Sequence, residues 1–331
     1  MIDWNILVSQ IATVAFDIVY FGAIISTILV IILDNRNPVP EEYARLIQLF
    51  QHTNQAFPFE GNRIAVYTEG YTKLQSLLRE LQKAKQHIHI EYYIFEDDAI
   101  GRLVRDVLIE KASQGVEVRV IYDDVGCWHV PNRFFEEMRN AGIEVRSFLK
   151  VRFPLFTSRV NYRNHRKIVV IDGRIGFVGG MNLAERYMRG FSWGIWRDTH
   201  ILIEGKAVHG LQTAFLLDWY FVDRTLITAS RYFPKIESCG SSLVQVVTSE
   251  PIGPWKEIMQ GLTMAINGAK KYFYMQTPYF LPTEQVLAAM QTAALAGVDV
   301  RLMLPERADN RITHLGSHSY LADVMQAGVK V

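Results

Sequence analysis

The densest chemistry in this sequence lies between Asn161 and Asn182. Asn164-His165-Arg166-Lys167 runs into an apolar stretch at 168–171, then Asp172-Gly173. Beyond 174–178 follows Gly179-Gly180-Met181-Asn182. Alternate residues of an extended chain share a face, so His165 and Lys167 project together, about 7 Å apart. An ammonium beside an imidazole suits phosphoryl chemistry: the lysine neutralises a phosphate oxygen while the imidazole attacks phosphorus or delivers a proton. Asp172 has the opposite parity and sits at a turn, where it fixes the hairpin or orients a neighbour. Gly180 lets backbone approach a ligand, and Asn182 either donates to a phosphate oxygen or caps a helix. A lone His-x-Lys is common; the whole spacing makes the pattern specific.

These residues need a rigid platform, and the flanking periodicities supply one. Leu74, Leu77, Leu78 and Leu81 mark one helix face. An alternating strand HIHIEYYIF follows at 87–95, then a helix carrying Ile100, Leu103, Val104, Val107 and Leu108 that Gly115 closes. A strand at 116–122, a helix at 132–140 and a strand at 143–145 complete the set. The run 168–171 reads as a buried strand and Asp172-Gly173 as a hairpin turn. Strands alternating with helices imply an α/β fold with a largely parallel sheet covered on both faces.

The order returns near the C-terminus. Ala84-Lys85 before 87–95 matches Ala269-Lys270 before 272–280. Gly115-Val-Glu-Val-Arg matches Gly297-Val-Asp-Val-Arg, and Ala141-Gly142-Ile-Glu-Val matches Ala327-Gly328-Val-Lys-Val331. Three blocks in register point to an internal duplication. The division this implies is 1–36 as a membrane helix, 37–60 as a linker, 61–236 as a first domain and 237–331 as an incomplete second one.

Composition narrows the class. Of 331 residues, 49% are hydrophobic and 21% charged, which excludes a disordered chain. Two cysteines exclude a disulfide scaffold and a cysteine-rich zinc module. A net charge of +1 gives no bulk affinity for nucleic acid or membrane. The first 34 residues carry only Asp3, Asp17 and Asp34 as charges, and 11–33 is long enough to cross a bilayer. The first basic residues, Arg36 and Arg45, follow that span and favour a cytoplasmic body.

The arrangement His165-x-Lys167-x(4)-Asp172 resembles the signature of the phospholipase D superfamily. His89-Ile-Glu91-Tyr-Tyr-Ile-Phe95, Tyr122-Asp123-Asp124-Val-Gly126, Trp196-Arg197-Asp198-Thr199 and Gln276-Thr-Pro278-Tyr-Phe280 are similar to bacterial cardiolipin synthases. The resemblance implies a duplicated α-β-α sandwich at the bacterial inner membrane. It also implies transfer of a phosphatidyl group between two phosphatidylglycerol molecules through a phosphohistidine, giving cardiolipin and glycerol without metal or cofactor. It assigns His165 to one of two catalytic histidines, Lys167 to phosphate binding and Asp172 to orientation. Asn182, Gly180, Glu91, Gln276 and Arg163 are then substrate-binding candidates.

Charge agrees with a lipid partner. Eight basic residues stand against Asp172 alone in 146–174, with aromatics interleaved. That mixture suits an anionic bilayer surface better than nucleic acid once a membrane helix precedes it. His87, His89 and Glu91 share one strand face, but Tyr272, Tyr274 and Gln276 take their places in the second copy, so a packing or substrate face outweighs a metal site. His314 and His318 read as a surface helix face, Arg197-Asp198 as a structural pair, and Trp193 and Trp196 as packing.

Two departures from the family shape the expectation. The family's second apolar span is missing, and a second His-x-Lys motif would fall about twenty residues beyond Val331 by the repeat register. The chain is therefore expected to be an incomplete phosphatidyltransferase, inactive alone. Its rivals are a one-motif homodimeric phosphodiesterase or nuclease, and a non-catalytic protein that binds anionic lipid.

Overall fold

In a computed structural model, the chain is described over residues 25–34, 39, 41–151, 163–192, 194–250, 253–307 and 311–331. Residues 25–39 and 56–248 make one unit; 40–55 and 249–331 make another. The first contains β1 (Ile25–Asp34), β2 (Pro58–Tyr67), β3 (His87–Tyr92), β4 (Glu117–Asp123), β5 (Glu144–Phe148), β6 (Arg163–Asn164), β7 (Lys167–Ile171), β8 (Ile175–Gly179), β9 (His200–Glu204) and β10 (Ser242–Ser249). They form one sheet in the order β5-β4-β3-β7-β8-β9-β2-β10-β1-β6.

The sheet is mixed, as the family resemblance implies, but it is not largely parallel. β3, β4 and β5 run parallel, joined by the helices Ala99–Ser113 and Asn132–Asn140. β7, β8, β9 and β2 are antiparallel. The reason lies in the connections. A parallel neighbour needs a crossover helix, whereas Asp172-Gly173 is a tight turn that can only reverse the chain. Both turn residues have positive φ, 52° and 64°, the geometry of a hairpin whose twist matches its strands.

Alternation along the strands decides the two cores. Ile88 and Ile90 of β3 and Val169 and Ile171 of β7 face the helices Gly70–Lys83, Ala99–Ser113 and Asn132–Asn140. Ile168 and Val170 face the other side, where the helix Val208–Asp223 packs. β3 turns His87, His89 and Glu91 toward that second side. His89 stacks on Phe215 at 4.6 Å and receives Gln212 at 2.8 Å. The three polar residues are therefore a packing face under a helix, and among the described residues no cluster suits a metal ion.

The second unit repeats the parallel arrangement. β11 (Tyr272–Gln276) and β12 (Asp299–Met303) pair parallel, and Arg301 bridges Lys330. The helix Glu284–Leu295 crosses between them, capped by Thr283. Its core holds Met290, Val300, Leu302 and Val324.

Three expectations need correction. Among the described residues no helix is long and apolar enough to cross a membrane. Of the span expected at 11–33, residues 11–24 lie outside the described residues, and the rest belongs to β1. ISTILVIILD is dense in β-branched side chains, which suit a strand better than a helix. The expected linker 37–60 contains the helix Glu41–Asn54, whose Leu46, Ile47 and Phe50 are buried at helical spacing, Phe50 against Gly261. β10 lies after 236 yet pairs with β2 of the first unit, because Val244 and Val246 complete the core beneath Val208–Asp223.

Candidate active site

The site is built from the two residues that flank His165. Asn164 and Arg166 are both buried, and His165 between them is exposed. Asp123, at the end of β4, accepts the Asn164 backbone N–H at 3.0 Å and those of Val125 and Gly126 at 2.9 and 3.0 Å. The Asn164 side-chain amide donates to Glu91 and, at 3.1 Å, to Asp218. Its carbonyl accepts the Arg166 N–H at 3.0 Å, and Arg166 pairs with Asp218. With both neighbours fixed inward, the imidazole of His165 is the group left facing out.

Lys167 opens β7 and is buried. Its ammonium donates to the His165 carbonyl at 2.6 Å. Tyr93 joins the two functional groups: its ring lies 4.8 Å from the His165 ring and 5.5 Å from Lys167 Nζ. A cation over an aromatic face is attracted by the ring's negative centre. His165, a loop residue, and Lys167, a strand residue, both lie against this one ring.

Electrostatics fix the working states. Surrounding protein, and then the Lys167 charge, lower the His165 pKa to about 3, so the imidazole is neutral at pH 7. Water on its open face moderates that desolvation without reversing its direction. Burial lowers Lys167 to about 7, opposed by the negative charges of Asp198 and then Asp123. A neutral imidazole with a free lone pair beside a cation that can gain or lose its proton near pH 7 can attack phosphorus while a phosphate oxygen is held.

Comparison with known proteins bears on this pattern. The family profile described as "Cardiolipin synthase, PLD-like domain" matches residues 77–219 and 262–331. The chain belongs to the cardiolipin synthase family. It is 42% identical over 299 residues to cardiolipin synthase of Geobacillus kaustophilus, covering 89% of this chain and 60% of that one. It is 41% identical over 290 residues to the major cardiolipin synthase of Bacillus subtilis, covering 86% and 60%. The chain therefore spans about three fifths of the length of these curated relatives. The fold is similar to that of phosphatidylserine synthase from Haemophilus influenzae, with a TM-score of 0.56, 14% identity, and coverage of 85% of this chain and 72% of that one.

Within this member of the cardiolipin synthase family, the remaining site candidates fall in different places. Asp172 lies at the far end of β7 from Lys167, about 17 Å away by strand rise. Its carboxylate accepts the N–H groups of Lys85, Gln86 and His87 at 2.9, 2.8 and 2.9 Å, tying the hairpin to the start of β3. It orients a strand rather than a reacting group. Asn182 is buried and committed at both ends: Oδ1 accepts from Ile94 N at 3.0 Å and Nδ2 donates to Tyr187 Oη at 2.6 Å. It does not cap a helix, and one of its two N–H groups is taken by Tyr187. Arg163 is buried against Asp123 at 3.3 Å and the Leu149 carbonyl at 3.2 Å. What comes close to Gly180 is the protein's own Asp198. Glu91 is buried within the Asn164 network rather than lining a surface. Gln276 ends β11 in the other unit and is exposed.

The basic segment also changes character. Arg163, Arg166 and Lys167 are buried, and Arg146 pairs with Asp223. Arg152 and Arg159 lie outside the described residues. Trp193 also lies outside them, while Trp196 packs on Tyr187 as anticipated, 4.8 Å between rings.

Tyr93, Asp198 and Lys73 were not singled out as site residues from sequence. Tyr93 lies within the run 87–95 but immediately after β3, which ends at Tyr92, and a parity break at that position is its sequence signal. Lys73 is buried under Tyr92, donating to its hydroxyl at 2.9 Å, and burial lowers its pKa to about 7, opposed by the Asp198 charge. Nothing in a helix reading QSLLRELQK beside it distinguishes that lysine.

Proposed function

We propose that this chain carries the His165 site of a cardiolipin synthase-type phosphatidyltransferase that uses phosphatidylglycerol. The neutral His165 imidazole attacks the phosphorus of one phosphatidylglycerol. A P–N bond forms, the P–O bond to the headgroup glycerol breaks, and glycerol leaves as the protonated alcohol. The headgroup hydroxyl of a second phosphatidylglycerol then attacks the phosphohistidine, the P–N bond breaks, and cardiolipin and free imidazole result. One phosphodiester is lost and one gained, so no nucleotide is consumed. Lys167 neutralises a non-bridging phosphate oxygen, and Asp172 is a positioning residue for the strand pair beneath it. The acid that protonates glycerol belongs to a second His-x-Lys motif in the family resemblance.

One observation carries this reading: an accessible, neutral imidazole and a buried ammonium meet on the ring of Tyr93, with the backbone on either side of the imidazole locked. Because the substrate is a lipid, the site works at a membrane surface, with the inner membrane and a cytoplasmic body as the compartment. Neither the fold nor the relatives support the expected inactivity of the chain by itself.

The test is quenching of the chain in alkaline denaturant after incubation with phosphatidylglycerol labelled at phosphorus. Label should become bound to protein through His165, stable to base and labile to acid, and be absent from His165→Ala. Absence of labelling in the unaltered chain at high lipid would sink the nucleophile role.

A further inference from the structure

Glu91 is an acidic residue placed where a charge is hard to keep. It is 1% exposed, and its partners Asn164, Arg166 and Asp218 are 2%, 1% and 6% exposed. One amide nitrogen, Asn164 Nδ2, donates both to Glu91 Oε1 and to Asp218 Oδ2, so the two carboxyl groups lie side by side. Arg166 pairs with Asp218. Two carboxylates against one guanidinium in a dry site leave one negative charge uncompensated, which costs several kcal/mol unless a proton removes it. Among the described residues, the other groups around Glu91 do not change this count above about pH 7. Lys167 on β7 holds its charge only below about pH 7. His89, two residues back on β3, is held neutral by burial and by His87. The paired residues on neighbouring strands are Ile121 and Ile168.

The internal repeat supplies an independent observation. β3 and β12's partner β11 have the same register: His87 faces Glu117 and Glu91 faces Ile121, as Tyr272 faces Asp299 and Gln276 faces Met303. Gln276 is thus the fifth residue of its strand, as Glu91 is of β3. Glutamine is the near-isostere of a protonated glutamic acid, with one acceptor and one donor end.

We propose that Glu91 is a positioning residue that works as an uncharged carboxylic acid, sharing its proton with Asp218 and accepting from Asn164, and so holds the 164–166 backbone that turns His165 outward. Burial first, and the Asp218 carboxylate next, push the Glu91 carboxyl well above the usual range, outweighing Arg166 and Asn164. The role in turning His165 rests on the phosphatidyl-transfer reading; the protonation state does not. The near-isostere should therefore replace Glu91 without loss.

The test compares the full chain with Glu91→Gln and Glu91→Ala. Infrared difference spectra at about pH 7.5 should show the carbonyl stretch of a protonated carboxylic acid that Glu91→Gln removes. If no such band disappears, the proposal is overturned. Thermal denaturation gives the second reading. A carboxyl whose folded pKa is raised loses stability as pH climbs above its unfolded value near 4.3. The melting temperature of Glu91→Gln should therefore gain on that of the unaltered chain from about pH 5 to about pH 8; a gain in the opposite direction overturns the proposal. In the labelling reaction Glu91→Gln should modify His165 at close to the unaltered rate, while Glu91→Ala should lose about tenfold or more through misplacement. Equal labelling by Glu91→Ala would refute positioning. If the unaltered chain is not labelled, the transfer reading fails and the infrared and thermal results still decide the protonation.

Discussion

Gly180 and Asp198 are in direct contact: a Cβ built on Gly180 would lie 2.1 Å from Asp198 Oδ1. The Gly180 N–H donates to Thr199 O at 2.9 Å, and Asp198 Oδ1 accepts the Thr199 N–H at 2.7 Å, so neither backbone nor carboxylate can easily withdraw. The glycine makes room for a carboxylate whose negative charge supports the buried Lys167 ammonium.

Gly180→Ala should therefore destabilise the chain by about 1–3 kcal/mol, the usual cost of forcing extra volume into a filled site. It should also weaken phosphate binding at neutral pH, because a displaced Asp198 supports the Lys167 charge less. Denaturant titration and lipid-binding assays on one preparation measure both.

His165→Ala should abolish covalent labelling while leaving stability within about 0.5 kcal/mol, because the imidazole is exposed and its neighbours carry the structural contacts. A large loss of melting temperature would show that the ring is structural.

Asp172→Ala leaves the N–H groups of Lys85, Gln86 and His87 without their acceptor. Hydrogen bonds to a charged group contribute about 1.5–3 kcal/mol each, and partial rescue by water brings the expected loss to the order of 3 kcal/mol. Asp172→Asn should recover part of it. Equal labelling rates per folded molecule in Asp172→Asn would confirm that this residue acts on the hairpin, not on phosphorus.

Binding of phosphatidylglycerol should weaken as pH rises through about 7, where Lys167 loses its proton. Lys167→Arg keeps its charge at every accessible pH, so its binding should be flat across that window. His165, neutral above about 3, should impose no decline in labelling until far more acid solution.

Lys73 predicts a stability profile. Its folded pKa of about 7 lies below the ordinary 10.5, so between those values the unfolded chain binds a proton that the fold does not. Its contribution to stability is complete above 10.5 and is lost as pH falls through about 7. Lys73→Met should accordingly raise the melting temperature most at or below neutral pH, with an advantage that shrinks toward pH 10.5.

Much of this protein was legible in one dimension. The strands β3, β4 and β7, the helices between them and the turn at Asp172-Gly173 follow from local period and turn chemistry, which act within a few residues. The His165-x-Lys167-x(4)-Asp172 spacing pointed to the chemistry from one short segment, although His165 stands in the loop before β7 and its imidazole meets the Lys167 ammonium across the Tyr93 ring. Tertiary structure decided what the spacing cannot express. Asn182 and Arg163 have the right types to hold phosphate, and Glu91 a type that could hold a substrate hydroxyl, yet partners 88, 40 and 73 residues away in sequence claim them. A polar atom buried in a dry interior must spend its hydrogen bonds on whatever lies nearest, and nearness there is set by the packing of β3 against Val208–Asp223. The end of β3 set Tyr93 against both His165 and Lys167, and the helix Gly70–Lys83 on the opposite face put Lys73 under Tyr92. Sequence determined which segment carries the reacting groups; only the folded chain determined which polar residues remained available to a substrate.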